Sequence, residues 1–341
     1  MRGWKVALLA AGSVIAGAVV FLYWIFFGPN IYDTEKKVFF VSKGQTWDQV
    51  VDSLGSQNIV RSKEWFVFVT RVLHRSNQVY VGKYEFTSGI SNVELYSMLR
   101  QGRGRVPIVV TLREGRRSTS YARGLAKALG IDSSRFMQLV DDPAFARTMN
   151  IPAKSLEGYL AADTYEFNWQ TDEDEIIRRL VRQTQKIFDD TVVEQARRLR
   201  MSMHQVLTLA SIIEGEVIDT NEREVISGVY HNRLRRSMNL QADPTIQYII
   251  PNGPRRIYYS DLRIASPYNT YRHLGLPPGP ISNPGKASIL AAVNPAKHKY
   301  VFFVANGKGG HWFASNYREH LRNAKRYRHE REMQMRTVQQ L

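Results

Sequence analysis

The chain has 341 residues, 43% of them apolar, and carries 47 Lys and Arg against 31 Asp and Glu, a formal charge of +16. At about 150 residues per domain this length predicts roughly two domains, and the composition excludes global disorder. With no cysteine, the chain has no disulfide scaffold, cysteine nucleophile, thiolate zinc site or redox CxxC motif. The positive charge calls for an anionic partner, whether nucleic acid, anionic lipid or an acidic polymer.

The first segment narrows that choice. After Met1, Arg2, Gly3, Trp4 and Lys5, residues 6–27 carry no charge. At about 1.5 Å per residue they reach roughly 33 Å, enough for a hydrocarbon core. A cleavable signal is the competing reading, since Ala16-Gly17-Ala18 resembles a small-residue cleavage site. Further apolar residues follow it, however, whereas a signal's apolar region ends before its cleavage site. The expectation is an uncleaved single span, with Trp4 at one end and Tyr23, Trp24, Phe26 and Phe27 at the other as interfacial aromatics. Arg2 and Lys5 favour a cytoplasmic N-terminus 1–5, which puts everything beyond residue 27 outside the cytoplasm and removes nucleic acid as a partner.

Residues 38–41 have strand composition. Thr46 then opens a T-x-x-Q capping box closed by Gln49, with Trp47, Val50, Val51 and Leu54 at helical spacing. A second amphipathic stretch occupies 62–73 and a strand 79–86, and Ser91 with Glu94 makes another box ahead of Val93, Leu95, Met98 and Leu99. This β-α-α-β order resembles a LysM module, a small glycan-binding fold; a generic α+β spacer fits the same residues. The basic Gly102-Arg103-Gly104-Arg105 break sets the expected boundaries, a LysM-like subdomain at 28–105 and a mixed α+β catalytic domain at 106–316, so that the fold class is α+β.

In the second domain, residues 106–112 predict a strand and 121–129 a helix. Residues 172–200 predict one long charged helical region. Ser202-Met203-His204-Gln205 is a further capping box, opening a helix whose apolar stripe is Val206, Leu209, Ala210, Ile213 and Val217. At about 100° per residue Glu214 falls beside that stripe, away from a polar side at Thr208 and Ser211. A carboxyl desolvated there would hold its proton more tightly, as a general acid must; on helix geometry alone, a glutamate ion-paired inside the fold is the plainer reading. Glu216 lies about 200° from Glu214 on the helix, so the two cannot flank one bond from the same face. Asp243, in Gln241-Ala242-Asp243-Pro244-Thr245, is the nearest further carboxylate, although Asp before Pro is also a turn opener.

Rigid, amide-rich segments follow, of the kind that bind sugars or simply turn the chain. Leu209-Ala210-Ser211-Ile212-Ile213-Glu214, Val229-Tyr230-His231-Asn232-Arg233-Leu234, Gln241-x-Asp243-Pro244-Thr245, Pro267-Tyr268-Asn269-Thr270-Tyr271, Gly275-Leu276-Pro277-Pro278-Gly279-Pro280-Ile281 and Asn294-Pro295-Ala296 together resemble the membrane-anchored endolytic murein transglycosylases (YceG-like). One departure is Leu160-Ala161-Ala162, where that family favours an aromatic–proline pair. The resemblance implies that Glu214 is the catalytic acid/base and Glu216 its support, with Asn232, Gln241, Asp243, Thr245, Tyr268 and Asn269 as candidate glycan contacts. It implies cleavage of the MurNAc-β-1,4-GlcNAc bond of nascent peptidoglycan with formation of a 1,6-anhydro end, terminating glycan elongation. The implied location is the cell (inner) membrane with the catalytic domain outside, and peptidoglycan synthases are candidate partners. The alternative is a non-catalytic peptidoglycan-binding scaffold.

No cofactor or metal is expected. There is no H-E-x-x-H; His231, His273, His298 and His311 lack ligand spacing, and no G-x-S-x-G elbow or P-loop is present. Gly307-Lys308-Gly309-Gly310 predicts a hairpin turn. The basic tail 317–341 reads as a solvated helix end or a surface-binding helix.

Overall fold

A computed structural model describes residues 3–31, 35–73, 78–251 and 253–339. Arg2, part of the expected topogenic charge, and the last two residues of the basic tail lie outside them. The chain divides into two compact units, the first comprising residues 1–110, 127–131 and 166–172 and the second the rest.

The first unit opens with α1 (Gly3–Phe27), of which residues 7–27 are long and apolar enough to cross a membrane. There follow β1 (Lys37–Val41), α2 (Trp47–Ser56), α3 (Lys63–Leu73), β2 (Gly82–Phe86) and α4 (Asn92–Gln101). β1 and β2 pair antiparallel with Phe39 opposite Tyr84. Alternate strand residues Phe39, Val41, Tyr84 and Phe86 turn inward onto Val50, Leu54, Phe66, Leu95 and Leu99, forming one apolar core. The Thr46 box is reciprocal, the Thr46 hydroxyl accepting from Gln49 N–H and the Gln49 amide oxygen from Thr46 N–H. At Ser91 the hydroxyl takes the Glu94 N–H at 3.2 Å.

β3 (Ile108–Thr111) pairs with β4 (Thr164–Phe167). Between them lie α5 (Ser118–Leu129), α6 (Ser133–Val140) and α7 (Pro143–Arg147). The charged region expected at 172–200 is two helices, α8 (Glu173–Ile187) and α9 (Asp190–Arg198). The break falls where Asp189 turns its carboxylate onto the Val192 N–H and caps a new helix. α10 (Met203–Glu216), α11 (Arg223–Arg235), α12 (Asp243–Ile249) and α13 (Lys286–Val293) form the centre of the second unit, α10 packing on each of the other three. β5 (Phe302–Ala305) and β6 (His311–Ala314) make the expected hairpin, and α14 (Tyr317–Gln339) packs on it. The tail is therefore helical but not wholly solvated at its start: Tyr317 and His320 stand against the Phe302 ring, and the Arg326 guanidinium lies 4.4 Å over Trp312.

Candidate active site

The site is built on α10. Its Ser202–Gln205 capping box is reciprocal, with bonds of 3.3 and 2.9 Å, so the helix begins where the sequence places it. Residues 206–213 are then buried on every side, which corrects the expected polar face: Thr208 and Ser211 are only 1% and 0% exposed. Their hydroxyls are accommodated because each donates to a carbonyl within the helix, Thr208 to His204 and Ser211 to Thr208. Ser211 also accepts the Ile281 N–H at 3.1 Å, which ties α10 to the proline-rich loop beyond it.

At the end of α10 the two glutamates diverge. Glu214 faces the 283–285 turn: its Oε2 accepts the Gly285 N–H at 3.1 Å and its Oε1 lies 3.6 Å from an Arg223 guanidinium nitrogen. Arg223 is itself held by a 3.1 Å bond to Ser288 Oγ. Glu114 stands on the other side of Gly285, so close that a Cβ on Gly285 would sit 2.0 Å from its carboxylate. An alanine there would push the Glu114 carboxylate out of its place beside the turn. Burial and the neighbouring Glu214 charge raise the Glu114 pKa, while Arg223 opposes the shift.

Glu216 faces the other way, onto two cavities. One, of about 620 Å³, is a groove whose lining includes Glu216, Asp243, Gln247, Arg116, Arg117 and Arg123. The second, of about 450 Å³, is lined by Glu216, Asp243, Gln241, Tyr271, Phe303 and His311. Tyr230, fully buried on α11, donates its hydroxyl to Glu216 Oε1 at 2.7 Å. Burial is the largest influence on Glu216 and pushes its pKa up to about 7; the Tyr230 hydrogen bond and the Arg233 charge pull it down, and Asp243 pushes it up. The approach of α12 depends on a second glycine, because a Cβ on Gly215 would meet the Pro244 ring at 2.7 Å. Asp243 opens α12 as its first residue and accepts the Tyr271 hydroxyl at 2.5 Å.

The remaining expected contacts separate into two groups. Gln241 is exposed on the second cavity, and Tyr268 is half-buried with its ring tilted against Tyr248. Asn232, Thr245 and Asn269 are instead buried, and their polar groups hold the fold. The Asn232 amide donates to the His298 and Tyr300 carbonyls, Thr245 donates to Ala242, and the Asn269 amide donates to Leu262 and Ile264. These three therefore have no free donor pattern to offer a sugar. Of the four histidines, His231, His298 and His311 are hydrogen-bonded through their rings, with His311 Nδ1 2.6 Å from Glu222, and His273 is exposed.

Sequence reasoning missed Glu114, Glu157 and the arginines of the groove. Arg117 reaches over the Tyr248 ring at 4.6 Å and donates to the Gln247 carbonyl, while Arg116 and Arg123 are exposed. Glu157 accepts from the Ser118 N–H and hydroxyl and from the Asn283 amide; burial nevertheless raises its pKa to about 7. The signal that could have found it was Glu157 in the otherwise apolar Leu156-Glu157-Gly158-Tyr159 run.

A carboxyl whose pKa is higher folded than unfolded gives stability that is complete below its unfolded value and is lost as pH rises through the folded one. Glu157 and Glu216, raised from 4.5 to about 7, both act in that direction. The thermal midpoint of the second unit should therefore fall between about pH 5 and pH 8 from these groups. Glu157→Gln should flatten that slope in a calorimetric pH series, and an unchanged slope would remove Glu157 as a cause.

The YceG-like family matches residues 39–326. An endolytic murein transglycosylase of Bacillus subtilis is 30% identical, with 84% of this chain and 83% of that protein aligned. One of Streptococcus pneumoniae is 26% identical over 83% of this chain and 57% of its own length. The crystal structure of a yceG-like protein from Listeria monocytogenes superposes with a TM-score of 0.60 at 28% identity, covering 85% of this chain and 99% of that one. With its ordered motifs, its mixed fold and a match from the first strand to the last helix, the chain belongs to the YceG-like family.

Proposed function

We propose that this chain cuts nascent peptidoglycan glycan strands between N-acetylmuramic acid and N-acetylglucosamine, leaving a 1,6-anhydro end and so terminating strand growth. The enzyme class, a peptidoglycan lytic transglycosylase, follows from the family and its relatives. α1 suggests a membrane anchor, and we place the catalytic unit on the extracytoplasmic side, where its substrate is.

One observation carries the assignment of roles: Glu216, at the wall shared by two cavities, has a carboxyl that burial keeps protonated up to about pH 7. We therefore assign the two roles in the reverse of the sequence expectation. Glu216 is the acid/base. Glu214, turned to the Gly285 N–H and Arg223, is the carboxylate that fixes the turn beneath it. Glu216 donates its proton to the glycosidic oxygen as the C1–O bond breaks, and the leaving sugar departs with a free 4-hydroxyl. The resulting carboxylate then removes the proton from the C6 hydroxyl of the same muramyl residue while O6 bonds to C1. No water is consumed, and Glu216 regains its proton. The positive charge developing at C1 is favoured by the Asp243 carboxylate, which lines the same cavities. Arg116 and Arg123, which line the same groove, are suited to the carboxylates of stem peptides.

The test is product chemistry. Full-length protein incubated with uncrosslinked strands should give new ends one water lighter than reducing ends by mass spectrometry. Reducing ends would make the protein a hydrolase, and strand binding without cleavage would make it a scaffold.

A further inference from the structure

The first unit is joined to α1 without a free linker. The Asn92 amide donates to the Ile25 carbonyl at 2.7 Å and Gly28 N–H to Trp24 O at 2.7 Å. Pro29 bridges Ser91, and the Asn30 N–H donates to Ile90 O at 2.9 Å. The last turn of α1 is thus fixed to the start of α4 and cannot swing away from it.

α3 lies along that same end of α1. The Trp65 ring meets Phe21 edge-on at 5.5 Å, and Phe68 meets Phe26 edge-on at 6.2 Å. The opposite side of α3 supplies Phe66 and Val69 to the interior, both 0% exposed. Besides the charged Glu64 and Arg71, α3 leaves three apolar side chains outside: Trp65, Phe68 and Val72 are 39%, 40% and 59% exposed. Their spacing of three and then four residues puts them on one face. Phe21 lies six residues before the end of α1, which at 1.5 Å per residue is about 9 Å back from it. If α1 spans a bilayer, a ring in contact with Phe21 is at the depth of the outer acyl chains, not above the headgroups. The exposed Trp24 ring lies three residues, about 4.5 Å, nearer the helix end, and the long stem of the exposed Arg71 near the end of α3 can carry its charge up to phosphates, whereas Lys63 is ion-paired to Asp52 at 2.7 Å.

We propose that the exposed face of α3, Trp65, Phe68 and Val72, is embedded in the outer interfacial layer of the lipid bilayer beside α1. The first unit is then a second, interfacial attachment that fixes the orientation of its own surface to the membrane, and not a spacer standing in water. This rests on α1 being a membrane anchor. It is independent of the cleavage chemistry.

The chain has no cysteine, so single substitutions can be spin-labelled in the full-length protein reconstituted into phosphatidylethanolamine–phosphatidylglycerol vesicles. Phe68→Cys, and Val72→Cys as the less intrusive variant, are compared with Ile15→Cys in α1 and Ser56→Cys at the exposed end of α2. Collision rates with oxygen and with a water-soluble nickel chelate report lipid and water exposure respectively. The expected result is an oxygen-to-nickel ratio at 68 and 72 several-fold above that at 56 and approaching that at 15. Water-like ratios at 68 and 72 with a lipid-like ratio at 15 would overturn the proposal while leaving the anchor intact. A water-like ratio at 15 as well would overturn the anchor and the proposal with it.

Discussion

Replacing Glu216 with glutamine is expected to lower turnover by about 10³-fold, within the 10²–10⁴ range for loss of a general acid, with strand binding retained. Glutamine is nearly isosteric and can still accept the Tyr230 hydroxyl, so the loss isolates the proton. Glu214→Gln should cost less, on the order of 10–10²-fold. Its amide oxygen can still take the Gly285 N–H, but the charge facing Arg223 is gone and the turn shifts. The pH profile discriminates further. With Glu216 titrating near 7, turnover should fall above about pH 7. Tyr230→Phe, which removes a bond that favours the ionised carboxylate, should move that alkaline limb upward. An active Glu216→Gln beside a dead Glu214→Gln would restore the roles expected from sequence.

Asn283→Leu is expected to be the most destabilising single change around the site. The side chain is 0% exposed. Its Oδ1 accepts the Gly158 and Leu160 N–H groups at 2.9 and 3.1 Å, and its Nδ2 donates to Arg116 O and Glu157 at 3.1 and 3.0 Å. Leucine leaves two buried N–H groups and a buried carboxyl without these partners, a loss of about 3–5 kcal/mol. For a unit of this size that lowers the thermal midpoint by roughly 10 °C. Scanning calorimetry checks it, and a change of under about 1 kcal/mol would mean that the 158–160 turn finds other partners.

Asn283 also shows what sequence can and cannot reveal. Asn283-Pro284-Gly285 is legible as a rigid turn because proline and glycine act locally. That the same asparagine closes a bridge to Arg116, and so brings Glu114 to Gly285, depends on residues far apart in the chain. The starts of α2 and α10 were legible for the local reason, since a capping box is complete within four residues. The inward burial of Thr208 and Ser211 was not, because α10 is covered on several sides by helices whose arrangement no periodicity encodes. The divergence of Glu214 and Glu216 could be read from helix geometry alone. Which of them faces a cavity could not, because the answer lies in where α11 and α12 pack. Asn232, Thr245 and Asn269 show the same limit from the other side: an amide or hydroxyl that could bind a sugar is indistinguishable in sequence from one that binds a backbone carbonyl.

Glu216 stands where two cavities meet, with lining residues extending to either side of it. On the function proposed above, a strand that occupies both cavities is cut in its interior, whereas one presented by its tip fills only one of them. The consequence is statistical: interior scission makes two long fragments from one. Number-average chain length then falls as cuts accumulate while almost no disaccharide is set free. A population of strands treated this way keeps its mass and loses its longest members first, which is how a length limit can be imposed on a growing polymer without dissolving it.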